Sequence, residues 1–409
     1  MGIRTGNDRR TFFIFTTIMA MIAGLFISRA LLSFSMLLFL AATLFHKNIR
    51  FQLCNFFKTP LLPGMAVLFL LPFVSGLWST DLHEWSRLMR IKLPLLFLPV
   101  AFAGSWQLRA RQWHIIALTF IAIIAIGTVW SFQKYWVERD AVAESYLRAK
   151  ALLTPLGNDH VRFSWLVTIA TLLCFFFVEN SSRLLQWLSG VLILWFICYL
   201  HVLAARTGLF SLYFILGLYG LLKMFQRTKT IVIVALFGAV ALPLLAWVAL
   251  PTFQNRIKYF VYDFSFIRSG TYLPGGNDGN RALSFRAGWH LLKTHPFGTG
   301  AGDVFRETNS WYVQHVPGML ETDKLYPSSE WLLYGGSTGW PGVLLFTIIM
   351  ALPFLYKPPA NSFYWQALCG TAALSFLFDI GLEVQYGVFT YSFLLLWWWK
   401  WFSFKKAAV

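Results

Sequence analysis

An arginine next to a threonine and a glycine lies between two long apolar segments. Arg206 stands in the sequence Ala-Arg-Thr-Gly, and Thr207 and Gly208 open the apolar segment that follows. A guanidinium group matches a phosphate with two parallel hydrogen bonds, and the free backbone N–H groups at a helix start also attract an anion. Arg206 therefore either binds a phosphate or, as charged residues at span ends do, extends to the lipid headgroups.

A second basic segment has the pattern of an amphipathic helix near 281–293. Arg281 and Ser284 lie one helical turn apart, whereas Arg286 lies five residues from Arg281 and points to another side. Judged on this segment alone, solvated arginines on an amphipathic helix explain the pattern.

Two further segments carry side chains able to transfer a proton. His160 precedes Arg162 at the start of an apolar segment, and its imidazole is either structural or an acid or base, because its ordinary pKa is near neutrality. Glu330, in Tyr-Pro-Ser-Ser-Glu-Trp-Leu, is predicted in the first turn of a helix, where the dipole stabilises a carboxylate. A serine, Ser328 or Ser329, is predicted to cap that helix.

Three glycines alternate in His-Pro-Phe-Gly-Thr-Gly-Ala-Gly-Asp, residues 295–303. The segment lacks the Lys-Ser/Thr of a nucleotide-binding loop and follows no predicted strand, so we predict a tight turn with close backbone approach. The four cysteines show no CxxC spacing. The sequence therefore predicts no metal site.

The composition indicates a membrane protein. Hydrophobic residues make up 57% of the chain and charged residues 12%, too few to cover the surface of soluble domains. The apolar residues form runs long enough to cross a bilayer. The net charge of +17 lies in the gaps between these runs, which favours the positive-inside pattern over nucleic-acid binding. The predicted fold class is an all-α polytopic membrane protein with about twelve transmembrane helices and one long periplasmic loop containing short helices.

The predicted spans divide the chain into four parts: 1–150, with helices 1–5 and an outer loop; 151–250, with helices 6–9; 251–337, a large periplasmic loop; and 338–409, with helices 10–12. With both termini in the cytoplasm, the inside segments together with Lys400, near the inner end of the last span, hold 16 of the 34 lysines and arginines but only two acids. The predicted spans are 12–27, 30–45, 62–78, 91–105, 114–132, 162–178, 185–201, 207–222, 230–250, 338–356, 363–380 and 386–403.

Taken in order, several segments resemble the O-antigen ligase and O-antigen polymerase family, bacterial membrane glycosyltransferases that act on lipid-linked sugars. The resemblance covers roughly 150–345. The segments that carry it are Asn-Asp-His-Val-Arg-Phe-Ser, Ala-Arg-Thr-Gly, Arg281 with Trp289, His-Pro-Phe-Gly-Thr-Gly-Ala-Gly-Asp, Trp331-Leu332, and Gly339-Trp-Pro-Gly.

The resemblance implies transfer of a glycan from undecaprenyl diphosphate to lipid A–core, another lipid, a protein or a growing polysaccharide, as in lipopolysaccharide biosynthesis. It implies inverting, metal-independent chemistry without a cofactor, at the periplasmic face of a bacterial inner membrane, with membrane lipids as further partners and no nucleic acid. Arginines at the positions of Arg206 and Arg281 would hold the diphosphate. Arg162 is a third candidate, and Thr207, Ser284 and Arg286 are supporting candidates.

One position departs from the family pattern. Ligases of this family usually have a histidine where the chain enters span ten, and Ser328 occupies that position here. A serine hydroxyl is far too weak a base to replace it, so Glu330, His315 or His160 would act as base, or transfer needs no base there, or activity is lost.

A lipid or polysaccharide transporter or flippase is the rival function. It would need polar residues through the bilayer centre, and Asp379 and Glu383 come nearest to that requirement. We expect these two acids to pair with outer arginines such as Arg206 or Arg281 instead.

Overall fold

The computed structural model describes residues 8–46, 48–225, 229–356 and 362–404. The basic residues that the orientation prediction placed at 1–7, 47, 226–228, 357–361 and 405–409 lie outside these ranges. The described chain is helical, without a strand: α1 (Asp8–Ile27), α2 (Arg29–Leu44), α3 (Ile49–Lys58), α4 (Leu61–Val74), α5 (Leu82–Phe102), α6 (Ala110–Val137), α7 (Arg139–Ser145), α8 (Pro155–Asn158), α9 (His160–Asn180), α10 (Arg183–Leu203), α11 (Arg206–Phe225), α12 (Lys229–Ala249), α13 (Pro251–Ser269), α14 (Asp278–Thr294), α15 (Val304–His315), α16 (Glu330–Leu355), α17 (Ser362–Phe378) and α18 (Gln385–Phe404).

Each of the twelve predicted spans coincides with one of these helices, which confirms an all-helical fold. By length and composition, five described helices are able to cross a membrane, or up to seven if each of two bent helix pairs counts as one span. The five are α1, α6, α9, α10 and α16. Three further apolar segments, 61–77, 206–222 and 363–378, are shorter than a full span. The number twelve therefore stays a prediction.

Helix α9 lies at the centre of the bundle, with 83% of its most apolar window buried. It is apolar on every side, the pattern of a helix surrounded by others. Gly208 of α11 packs directly on it, because a Cβ at Gly208 would lie 2.6 Å from the Cβ of Ser164. Thr168 Oγ1 donates a hydrogen bond to the Gly208 carbonyl oxygen at 3.1 Å. This close packing brings the first residues of α9 and α11 to the same end of the bundle.

The turn between α10 and α11 is as tight as predicted. Ala204 ends α10 in the left-handed conformation, with φ of 47°, and α11 begins two residues later at Arg206. The chain reverses within these residues. Arg206 therefore lies at the first position of α11.

The long segment after α12 is mostly helical. It contains α13, α14 and α15, of 19, 17 and 12 residues. Asp263, which is fully buried in α13, accepts hydrogen bonds from the backbone N–H groups of Asn277, Asp278 and Gly279 at 2.9, 2.6 and 3.1 Å. The buried carboxylate thereby fixes the start of α14, the helix that carries Arg281.

Helix α16 begins at Glu330 and is broken at Gly339, where φ is 71° and ψ is −157°. A side chain there would collide with the Pro296 carbonyl oxygen, 1.9 Å from an added Cβ. Trp340 N donates to that same oxygen at 2.9 Å. The predicted helix start is confirmed, with Ser329 at the N-cap position. The Ser329 hydroxyl makes no capping hydrogen bond within the described residues and donates to the Phe376 carbonyl oxygen at 3.5 Å instead.

Candidate active site

Four arginines from four different helices approach one another at one end of the bundle. Arg162 belongs to α9, Arg206 to α11, Arg256 to α13 and Arg281 to α14. We call them the arginine cluster. Three carboxylates, those of Asp159, Asp278 and Asp379, lie within electrostatic reach of them. The cluster therefore keeps more positive than negative charge.

Arg162 is held by two of the three acids. Its side chain pairs with Asp159 at 3.2 Å and with Asp379 at 2.8 Å, and it is largely buried. Asp159 also accepts a hydrogen bond from the Arg162 backbone N–H at 3.1 Å and so caps α9. Because two carboxylates already compensate its charge, Arg162 is suited to holding the start of α9 and the chain after α17 in place.

Among the cluster arginines that form ion pairs in the described structure, Arg206 is more exposed than Arg162. Its Nη1 forms an ion pair with Asp278 Oδ1, at the first position of α14, and its side chain remains 34% exposed. Thr207 is half-buried in the same turn. Gly208, two residues after Arg206, packs against Ser164 of α9, and a part for its backbone N–H in anion binding stays a prediction.

Arg281 and Arg256 have less compensation. Arg281 Nη1 donates a hydrogen bond to the Phe378 carbonyl oxygen at 3.0 Å. Burial lowers the pKa of the Arg281 guanidinium below its ordinary value, and the nearby Arg206 adds to this. Nη1 of Arg256 is buried and has no hydrogen-bond partner among the described residues. An unpartnered buried guanidinium nitrogen is costly unless an anion binds it.

His160 is the candidate base that lies within the arginine cluster. It is the first residue of α9, half-buried, and within electrostatic reach of Arg256, Arg281 and Arg162. A neutral imidazole is the form that accepts a proton, and a negative charge bound beside it would stabilise the protonated form. Its position suits it to proton transfer next to a bound anion.

Ser328, at the position of the family histidine, is buried against α14. Ser284 Oγ donates a hydrogen bond to Ser328 Oγ at 2.8 Å, and Ser328 N donates to Ser284 Oγ at 3.2 Å. Ser284 is thus engaged with the chain entering α16 rather than with the surface of the arginine cluster. Arg286, on another side of α14 as predicted, is exposed.

Glu330 belongs to a second group of charges, which we call the lysine–glutamate network: Lys92, Glu330 and Glu383. Glu330 is fully buried and accepts a hydrogen bond from Leu382 N at 2.5 Å. Its Oε2 has no hydrogen-bond partner in the described part of the chain. Lys92 Nζ pairs with Glu383 at 2.5 Å and donates to the Leu382 carbonyl oxygen at 3.0 Å.

The third candidate base, His315, lies at the last position of α15. Its ring stacks on that of Trp311 with centroids 4.7 Å apart, and its Nδ1 is 3.0 Å from the Trp311 carbonyl oxygen. The ring also lies against His290, and the side chain is exposed. These contacts place His315 on the outer helices of the 251–337 segment, among aromatic neighbours rather than arginines.

The glycine-rich segment 298–302 forms a docking turn, which confirms the predicted close backbone approach. A Cβ at Gly300 would lie 2.3 Å from Ser79 Oγ, and one at Gly302 2.1 Å from the Asp81 carbonyl oxygen. Asp303 accepts hydrogen bonds from Thr80 N, Thr80 Oγ1 and Asp81 N at 2.6, 2.9 and 3.0 Å. Burial alone would raise the pKa of Asp303, but these hydrogen bonds lower it below its ordinary value. The turn joins the 251–337 segment to the start of α5.

Two members of the site were missed from the sequence: Arg256 and Asp278. Arg256 stands in Gln-Asn-Arg-Ile-Lys-Tyr, a mixed segment without a distinctive motif. The expected pairing of Asp379 and Glu383 with Arg206 or Arg281 also needs correction. Asp379 pairs with Arg162, and Glu383 pairs with Lys92, because the chain between α17 and α18 runs between α9 and α5.

The fold is that of a helical membrane protein in which four arginines lie close together near the starts of four helices. The sequence profile of the O-antigen ligase family matches residues 191–347, a range that contains three members of the arginine cluster. This match confirms the resemblance predicted from the sequence: residues 191–347 are similar to the O-antigen ligase family. No curated protein matches the chain.

Proposed function

We propose that the protein is a membrane glycosyltransferase that moves a glycan from undecaprenyl diphosphate to an acceptor hydroxyl. The observation that carries the proposal is the positive excess of the arginine cluster, with one guanidinium nitrogen of Arg256 buried and unpartnered in the described structure. The family match over 191–347 supports the reaction class. A diphosphate supplies the negative charge that the cluster lacks.

Three arginines are available to the diphosphate. Arg206 and Arg281 hold its oxygens from α11 and α14, and Arg256 completes the site from α13. Arg206 exchanges part of its contact with Asp278 for the ligand, because its side chain is exposed enough to turn. Fixed guanidinium groups stabilise the charge that develops on the diphosphate as it leaves, without reorganisation at the moment of reaction. Arg162 stays paired with its two carboxylates and holds the start of α9 in place beside the site.

His160 is the base in this proposal. The acceptor oxygen attacks the anomeric carbon, the bond from that carbon to the phosphate oxygen breaks, and its electron pair leaves on the diphosphate. The imidazole of His160 takes the hydroxyl proton of the acceptor. Attack opposite the leaving group inverts the anomeric configuration. Glu330 and His315 are less suited to this role, because Glu330 accepts a hydrogen bond inside a closed network and His315 lies among aromatic rings.

The setting completes the proposal. The site lies on the periplasmic side of a bacterial inner membrane, with both termini in the cytoplasm and the 251–337 segment as the outer wall. The acceptor is lipid A–core, another lipid, a protein or a growing polysaccharide, so single transfer and polymerisation both fit the same site. Twelve spans fit this topology, with the shorter apolar helices crossing a thinned part of the bilayer.

The test uses the full-length protein in proteoliposomes with a purified undecaprenyl-diphosphate-linked glycan and a set of acceptors. Arg281→Ala is compared with Arg286→Ala, a matched control on the exposed side of the same helix. We expect Arg281→Ala to abolish transfer and Arg286→Ala to retain it, with both proteins eluting as folded wild type does. Normal transfer by Arg281→Ala would rule out the diphosphate site.

A further inference from the structure

A cavity of about 320 Å³ with a mixed polar and apolar lining lies at the opposite end of the bundle from the arginine cluster. It is bounded by α3, by the chain between α5 and α6, and by the last turns of α18. Helix α18 starts two residues after Glu383 and reaches the cavity at Trp399 and Lys400, roughly 22 Å further along its axis. The polar residues of the wall include Asn55, Gln107 and Lys400.

Lys400 gives this cavity a positive charge with unused hydrogen-bonding capacity. Its Nζ donates to the carbonyl oxygens of Phe102 and Gly104 at 3.1 and 2.5 Å. An ammonium group has three N–H donors, so one remains for a ligand. The described residues provide Lys400 with no carboxylate partner. The rings of Trp106 and Trp399 lie 4.9 and 5.8 Å from Nζ, which holds the charge in place without neutralising it.

The chain around the cavity is basic and lacks acids. The segments 46–60 and 103–113 together contain five lysines and arginines and no aspartate or glutamate. Because these segments contain no acid, each carries a net positive charge by sequence. The complementary ligand is therefore an anion.

Helix α3 indicates that this anion carries acyl chains. The side chains of Phe51, Leu53 and Phe57 are exposed, up to 72% for Phe57, whereas Gln52 and Phe56 of the same helix are buried. Exposed apolar side chains beside basic residues are typical of a helix in the membrane interface. Phe51 also lines the cavity. A ligand in the cavity thus has a charged binding site within and an apolar surface at its edge.

We propose that this cavity binds the phosphate group of an anionic phospholipid, with Lys400 as its charge partner and the exposed Phe51 side chain at the cavity edge against an acyl chain. The phosphate chemistry is shared with a free phosphate ester. The exposed apolar side chains of α3 favour the lipid. This site is separate from the arginine cluster and does not depend on the proposed glycan transfer.

The experiment measures retained lipid by native mass spectrometry of the delipidated full-length protein, titrated with phosphatidylglycerol or phosphatidylcholine. We expect one phosphatidylglycerol to bind at least about ten times more tightly than phosphatidylcholine, and Lys400→Met to lose that preference, as expected for one lost charged hydrogen bond. Lys258→Met, at an exposed lysine of α13, is the matched control and should bind as wild type does. Equal phosphatidylglycerol binding by Lys400→Met and wild type would overturn the proposal.

Two further arms keep the test decisive. Glycerol 3-phosphate tests the headgroup alone: displacement of the lipid at equal concentration would show that a free phosphate ester is the ligand and would overturn the lipid assignment. If Lys400→Met does not fold, Gln107→Trp places bulk in the cavity from an exposed position. We expect this variant to lose the bound phosphatidylglycerol, and full retention would equally contradict the proposal.

Discussion

The arginine cluster and the lysine–glutamate network lie at the same end of the bundle, yet their charge balance is opposite. The cluster has four cations against three carboxylates, and Arg206 is 34% exposed. The network has two carboxylates against one ammonium, and the side chains of Lys92 and Glu383 are 2% and 12% exposed. Groups buried this deeply serve the fold, whereas a partly open excess of one sign is suited to binding a ligand of the other.

The connection between α17 and α18 joins the two groups. Asp379 in this connection pairs with Arg162, and Leu382 and Glu383, a few residues on, bind Lys92. The Phe378 carbonyl oxygen at its start accepts a hydrogen bond from Arg281, and the Leu382 backbone N–H donates one to Glu330. The lysine–glutamate network therefore fixes one side of the arginine cluster. Substitutions in the network should change stability, whereas substitutions in the cluster should change glycan transfer.

The largest effect on transfer is expected at the base. His160→Gln removes the imidazole from the arginine cluster but keeps a polar side chain, so kcat should fall by about 10²–10⁴, as for loss of a general base. The Michaelis constant for the lipid-linked donor should change little. Steady-state transfer rates in proteoliposomes give both constants.

His315→Gln and Glu330→Gln are the comparison for that prediction. Both should retain kcat per folded molecule, because their side chains lie outside the cluster. A His160→Gln enzyme with normal kcat would contradict the base assignment, and a loss confined to Glu330→Gln would move the base into the lysine–glutamate network.

A smaller loss is expected at Arg256. Arg256→Gln removes the guanidinium whose Nη1 is buried without a partner in the described structure. Binding of the diphosphate should weaken by about ten- to a hundred-fold, the value of one hydrogen bond to a charged group. The donor concentration for half-maximal transfer measures this loss. The control is Arg268→Gln, because Arg268 is a basic residue in the last turn of the same helix. This substitution should leave that donor concentration unchanged.

The lysine–glutamate network should affect stability instead. Lys92→Met leaves Glu383 buried without its partner and should lower the free energy of unfolding by about 3–5 kcal/mol. Thermal unfolding in detergent follows this change. Transfer per folded molecule should remain that of wild type; a stable Lys92→Met protein without transfer would mean that the network takes part in the reaction.

The smallest effect is expected at Ser328. Ser328→Ala removes the hydrogen bond to Ser284 and should cost about 1 kcal/mol of stability, with normal transfer. Denaturant unfolding and the transfer assay together check it. A large loss of transfer in this variant would show that the serine has a direct role at the position of the family histidine.

Local patterns made part of this arrangement predictable. Each apolar run that predicted a span coincides with a helix, and the Ala-Arg-Thr-Gly segment predicted the tight turn before α11. The start of α16 at Glu330 follows from Pro327 and the serines before it. These features depend on a few neighbouring residues, so the sequence contains them directly.

Long-range contacts were beyond the same reasoning. Arg256 reaches the site because α13 turns back against α14, and Asp263 holds α14 by three backbone hydrogen bonds. Lys92 meets Glu383 across 291 residues of sequence. Arginine-containing segments without a motif cannot be told apart from the sequence, because the tertiary fold determines which of them come into contact. The pairing of Asp379 with Arg162, instead of Arg206 or Arg281, was therefore not predictable.

Direct binding of a glycan-free polyprenyl diphosphate tests the central claim most closely. Purified wild-type protein should bind one molecule of the labelled lipid at saturation, and the corresponding monophosphate should bind more weakly. The double variant Arg206→Gln/Arg281→Gln, folded by size-exclusion and thermal-unfolding criteria, should lose at least about a hundred-fold in affinity, since two charged hydrogen-bonding groups are removed. Equal affinity of the double variant and wild type would contradict the assignment of the arginine cluster as the diphosphate site.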